Sequence, residues 1–153
     1  MKELSQEYKA RLFEILNDSP FSTHVRMRMT ELEYASSTFV MSAEGFRMQP
    51  YQVMHGGNMA VLIDSATFWA CFLAMCEDGD ALTSVDLKVN YLAPARHESL
   101  VCKARLIKSG KTLAYADAEV RAGDDRRLVA HGSSTLMRIP GGGLRLGLPM
   151  FRE

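Results

Sequence analysis

The sequence predicts an α+β domain in which an antiparallel sheet wraps around one buried helix. Three observations carry this reading. From about Gly57 to Cys76 the chain is apolar on every side of a helical projection, and a helix that is hydrophobic all round has to be enclosed all round. From Thr83 onward the chain alternates apolar and polar residues and turns at short intervals, as antiparallel strands do. Two shorter strand-like segments precede the apolar helix, with no repeat and no linker, and only a wrapping sheet covers most of such a helix.

Each element has its own signal. Residues 3 to 17 place Leu4, Tyr8, Leu12, Ile15 and Leu16 at helical spacing among Lys, Glu and Arg, an amphipathic helix ended by "NDSP". The alternation of Val25, Met27 and Met29 against Arg26 and Arg28 predicts a strand, and a second from about Ser36 to Ala43 makes a hairpin with it. The central helix spans about 57 to 76. "TSVDLKVNYLAP" then puts Val85, Leu87, Val89 and Tyr91 on one face and Ser84, Asp86, Lys88 and Asn90 on the other, until Pro94 ends it. Residues 99 to 107, 112 to 121 and 127 to 138 make three more strands, joined by the turn-forming "KSGK" and "AGDD". Residues 1–139 thus form a single domain, and the Gly- and Pro-containing segment 140–153 is read as a C-terminal tail.

Composition narrows the function. A length of 153 residues fits one domain with a real core, and 47% apolar with 24% charged residues is globular rather than disordered. Eighteen acidic residues balance eighteen basic ones without a run of one sign, so the basic stripe of a nucleic-acid binder is missing. Cys71, Cys76 and Cys102 are odd in number, lie in apolar surroundings and lack C-x-x-C spacing, which predicts buried thiols in a reducing compartment. The charged start "MKELSQEYKARLFEIL" lacks the apolar stretch of a signal peptide, so a cytoplasmic location is expected. Asp64, Ser65 and Thr67 interrupt the apolar run, and a central Asp is costly in lipid, so the helix is expected inside protein rather than membrane.

The candidate site lies in "QPYQVMHGGNMAVLIDSATFWACFLAM", Gln49 to Met75. Gly56 and Gly57, where a loop becomes a helix, let backbone approach a ligand and leave helix-start N–H groups for an anion or a developing oxyanion. The same pair would also serve a tight turn. Asp64, two turns into the helix, costs several kcal/mol if buried unless it is bonded or protonated. It is either a working carboxylate or a core one satisfied by Ser65, Thr67 or a strand hydroxyl such as Ser84. Eight residues at about 1.5 Å rise put Gly56 and Asp64 roughly 12 Å apart along the helix. Two groups that act on one reacting centre must each lie about 3 Å from it. If the two share a site, they come from different copies of the chain.

His55 stands just outside the helix with no carboxylate neighbour in sequence, so a positioning role or an ordinary loop hydrogen bond competes with general-base catalysis. The four histidines show no metal-ligand spacing, and there is neither a G-x-S-x-G elbow nor a phosphate-binding P-loop, so neither metal nor cofactor is expected.

"MHGGNMAVLIDSA" and "TSVDLKVNYLAPA", followed by "IKSGKTLAYADAEV" and "LVAHGSSTLM", resemble the hotdog-fold acyl-CoA thioesterases from about Pro20 to Met137. The nearest branches are the phenylacetate-pathway and 4-hydroxybenzoyl-CoA types. The resemblance implies a sheet wrapped round a central helix, edge-to-edge dimers, often tetramers made of two dimers, and active sites at the dimer interface. It assigns Asp64 as nucleophile or general base, and the Gly56 amide as the donor to the thioester carbonyl. His55 matches the motif histidine, Ser84 a hydroxyl that places water, and Gln49 a side-chain amide six residues before the histidine. Gly57, at the helix start, and Phe68, in the apolar run, are candidate substrate contacts. Many members of the phenylacetate branch have Asn in place of Gln49 and Gly in place of Gln52, whereas the other branch keeps Gln but has Glu in place of Asp64.

The expected partner is therefore an acyl-CoA, whose phosphates need cations. Lys88, Lys103, Arg105, Lys108, Lys111, Arg126 and Arg127 are candidates. Trp69, Phe68, Phe72 and Met75 suggest an apolar pocket, or plain core. Two rival readings stay open: a 3-hydroxyacyl-thioester dehydratase or hydratase, and a non-catalytic acyl-CoA-binding module.

Overall fold

A computed structural model describes residues 3–43 and 49–152. Helix α1, Gln6–Asn17, starts at Ser5, whose hydroxyl accepts the Tyr8 N–H, and it buries Tyr8 and Leu12. A short helix α2, Pro20–Val25, follows, capped by Ser19 with Pro20 in its first turn. The strand expected to begin at Val25 begins instead at Met27. The Ser-Pro step starts a helix that alternation does not reveal, and Arg26, at φ 49°, ends it in the left-handed region.

Strands β1, Met27–Glu33, and β2, Ser36–Met41, form the expected hairpin. Helix α3, Gly57–Met75, comes next, then β3, Ala81–Tyr91, β4, Leu100–Ser109, β5, Leu113–Ala122, and β6, Arg127–Ile139. All pairings are antiparallel, in the order β1-β2-β4-β5-β6-β3. The sheet curls around α3, which packs against all six strands.

Small residues make that close approach possible. Along β5, the inward positions are Ala114, Ala116, Ala118, Val120 and Ala122, all buried. Leu62, Ile63, Ala66 and Ala70 of α3 are also fully buried. At Gly132 a Cβ would stand 2.5 Å from the Lys88 carbonyl and 2.9 Å from Ile63, so only glycine fits between β3 and the helix there.

Two expectations need correction. The helix is not enclosed on every side: Val61, Asp64, Ser65, Phe68 and Trp69 are only half-buried, so one side of α3 is incompletely covered within the chain. Residues 140–152 form no helix or strand, but they are docked rather than loose. Asp78 accepts the Leu146 and Gly147 N–H groups, Asp80 accepts that of Gly141, and Leu4 bridges to Phe151.

The sheet has two edges that are treated differently. At β1 the Asn17 side chain accepts the Met29 N–H at 2.8 Å and donates to the Met29 carbonyl at 3.1 Å, so a helix covers that edge. Among the described residues strand β3 has no neighbour on its outer side, and Val85 (53%), Leu87 (38%) and Tyr91 (58%) are exposed along it.

Candidate active site

The Asp64 carboxylate is half-buried on α3, and the Ser84 hydroxyl of β3 donates to its Oδ1 over 2.6 Å. Oδ2 accepts no hydrogen bond among the described residues. Of the hydroxyls proposed as partners, Ser84 is the one used. Thr67 turns back along its own helix to the carbonyls of Ile63 and Asp64.

A β-bulge brings Ser84 to this point. The pairing of β3 with β6 shifts between Ser84 and Asp86, so Val85 is an extra residue. Beyond it the alternation is inverted: Leu82 and Ser84 face inward before the bulge, and Val89 and Tyr91 after it, Val89 against the core and Tyr91 against Gly56. The expected placement of Ser84 opposite Val89 and Tyr91 is thereby corrected. Strict period-two alternation cannot anticipate one inserted residue.

The start of α3 is a second cluster. The Gly56 N–H makes no hydrogen bond among the described residues. The next amide, of Gly57, donates to His55 Nδ1 at 2.9 Å, and the His55 carbonyl receives the Asn58 backbone and side-chain N–H groups. His55 is exposed and braces the first turn through its ring nitrogen and its carbonyl, which fits positioning better than proton transfer.

An open cavity of about 400 Å³ lies against Gly56, lined also by Gln49, Met54, Met59, Tyr91 and Pro94. Gln49 is held by a turn in which its N–H donates to the Val53 carbonyl and its own carbonyl accepts from Gln52. Gln52 sits at φ 61°, a left-handed conformation that favours glycine.

The two clusters do not meet within one chain. Gln49 and Gly56 share the cavity, while Asp64 and Ser84 lie outside its lining. Phe68 is one turn beyond Asp64, half-buried, with its ring 5.0 Å from Trp69 and 6.1 Å from Phe72. Sequence reasoning passed over Tyr91 as a site residue, because strict alternation sets it on the face opposite Ser84 and only the bulge brings both inward.

Burial pushes the Cys71 and Cys76 thiols up to about 12 and that of Cys102 higher still, so none is a thiolate nucleophile at neutral pH. Among the described residues no cluster of His, Cys, Asp and Glu is built to hold a metal. Of the candidate cations, Arg105 is engaged by Asp117 and Arg127 by Glu98, whereas Lys88, Lys103, Lys108 and Lys111 are in no ion pair among the described residues.

Residues 51–129 match the thioesterase superfamily. The mouse protein named acyl-coenzyme A thioesterase 13 is 37% identical over 83 residues, 54% of this chain and 58% of that protein. The chain thus spans little more than half the length of that relative. A candidate esterase of Caenorhabditis elegans is 29% identical over 135 residues, 86% of this chain and 79% of that one. A thioesterase family protein of Silicibacter pomeroyi superposes with a TM-score of 0.78 at 27% identity, covering 86% of this chain and 98% of that one. The Escherichia coli PaaI protein from the phenylacetic acid degradation operon does so with 0.79 at 19% identity, over 90% and 97%, a likeness of fold alone. The sheet around α3 is the hotdog fold.

Proposed function

This chain belongs to the thioesterase superfamily, and we propose that it hydrolyses an acyl-CoA thioester to a carboxylic acid and free coenzyme A. The observation that carries this reading is the state of Asp64: one carboxylate oxygen is held by Ser84 while the other has no partner among the described residues. A carboxylate kept only to satisfy the core would have both oxygens bonded. One left with a free oxygen on the open side of a helix can take a proton from water or attack directly.

The site lies between two copies. The roughly 12 Å along α3 from Gly56 to Asp64 exceeds what one reacting carbon can bridge. The uncovered β3 edge and the half-buried side of α3 offer the surface on which a second chain would dock edge to edge. The Gly56 amide of one protomer then faces Asp64 of the other, and two such dimers can form a tetramer. With Asp64 as general base, it takes a proton from a water whose oxygen bonds to the thioester carbon. The negative charge that develops on the carbonyl oxygen is stabilised by the Gly56 N–H. The C–S bond then breaks and coenzyme A leaves as a thiolate. As nucleophile, Asp64 would itself bond to that carbon and form an anhydride that water then opens.

Thiol release from a panel of aromatic, short, medium and long acyl-CoAs tests the reading. Turnover of at least one is expected. No release from any, with acyl-CoA still bound, would identify a binding module, and loss of conjugation from an enoyl thioester would identify a hydratase. A cytoplasmic location belongs to the same proposal, since its three thiols are buried and unpaired.

A further inference from the structure

We propose that the Tyr91 hydroxyl is a second donor to the thioester oxygen, acting beside the Gly56 amide; this rests on the thioesterase reading. Tyr91 ends the inward-facing series that the β3 bulge sets up, and its ring lies against Gly56, whose amide makes no hydrogen bond among the described residues. A Cβ on Gly56 would stand 2.8 Å from Tyr91 Cε1, 3.1 Å from Cζ and 3.3 Å from Oη. The aromatic ring therefore occupies the space a side chain at position 56 would need.

That contact fixes the distance between two donors. A Cβ lies roughly 2.5 Å from its own backbone nitrogen, so the Tyr91 hydroxyl is within about 6 Å of the Gly56 nitrogen. One oxygen bonded to two donors at about 2.9 Å each keeps those donors no farther apart than that. Both groups border the same 400 Å³ cavity, and the Tyr91 hydroxyl makes no hydrogen bond among the described residues. Tyr91 is 58% exposed, so its hydroxyl is accessible to a ligand in that cavity.

The position makes chemical sense. A tetrahedral intermediate has a full negative charge on the former carbonyl oxygen, and one backbone N–H leaves that oxygen with spare acceptor capacity. A phenol is a neutral donor that adds a second bond without adding a charge the ground state would also bind. Gly56 is then glycine for the room it leaves for Tyr91 beside its amide.

Tyr91→Phe keeps the ring against Gly56 and removes only the donor. Its kcat should fall between about tenfold and a thousandfold, the upper end being what one oxyanion donor supplies, with KM and melting temperature little changed. Gly56→Ala, at φ −57°, keeps the helix start and the N–H but pushes the Tyr91 ring aside. The double variant should be no slower than the slower single one, because both changes disable the same pair. Losses that multiply would overturn the shared oxygen. Wild-type turnover with an unaltered kcat in Tyr91→Phe would overturn the proposal and leave the thioesterase reading standing. If the wild-type protein releases thiol from no acyl-CoA, both fall together.

Discussion

The Ser84 hydroxyl donates to Asp64 Oδ1 over 2.6 Å, joining the edge strand to the central helix at the point where a bulge turns β3 over. That bond fixes the carboxylate plane and directs its free oxygen. Ser84→Ala should therefore leave the fold intact, since Ser84 is exposed in the single chain. A hydrogen bond to a charged group is worth about 1.5–3 kcal/mol, so kcat should drop roughly tenfold to a hundredfold. Steady-state kinetics with melting temperature as the folding control measures this. A silent substitution would make Ser84 an ordinary polar strand residue.

The open β3 edge predicts an obligate dimer or a dimer of dimers. Sedimentation at micromolar concentration should show no major monomer. Leu87→Asp places a charge on the exposed edge strand and should shift the protein toward monomer. Turnover should fall in step, because each site would lose the half supplied by the other chain. A monomer with full activity would remove the two-chain site and the mechanism built on it.

Much of this architecture was legible in the sequence, for reasons that differ by element. The apolar run 57–76 has only one stable place in an α+β domain, so α3 and the wrapping sheet followed from it. Helix α2 was hidden because six residues contain too little periodicity, and its Ser-Pro start reads equally as a turn. The bulge at Val85 was hidden because an inserted residue leaves composition untouched while reversing every later side chain. Asp64 and Gly56 stood out by residue type in an unusual place, and Ser84 only through the family resemblance. Tyr91 did not, because an aromatic residue in a strand is ordinary until the backbone shows what it lies against. The docking of 140–152 depends on Asp78 and Asp80, 61 to 69 residues from their partners, which no local pattern relates to it.

Acid stability should depend on Asp80. Its carboxylate accepts the Glu77 and Gly141 N–H groups and the Arg138 guanidinium, and these bonds hold it below the ordinary carboxylate range. A depressed folded-state value means stabilisation that is present above the unfolded value, about 3.9, and lost as pH falls through the folded one. Asp80→Asn should lower the urea midpoint at pH 7, and the gap to wild type should narrow as the pH falls below about 4. A gap constant down to the lowest pH at which both fold would show that Asp80 contributes by shape alone.

Asp64→Asn is the sharpest test of the chemistry. Asn keeps nearly the same volume and can still accept the Ser84 hydroxyl through its side-chain oxygen, so the contact between α3 and β3 should survive. It cannot take a proton from water or form an acyl anhydride. Acid–base catalysis is typically worth about 10²–10⁴-fold, and a loss of that size in kcat is expected while the dimer stays folded and still binds acyl-CoA. Steady-state kcat for both proteins, with binding of a non-hydrolysable acyl-CoA analogue and melting temperature measured alongside, separates lost chemistry from lost structure. Near-normal kcat in Asp64→Asn would make Asp64 a packing residue that Ser84 satisfies, and the free Oδ2 would then have no role in turnover.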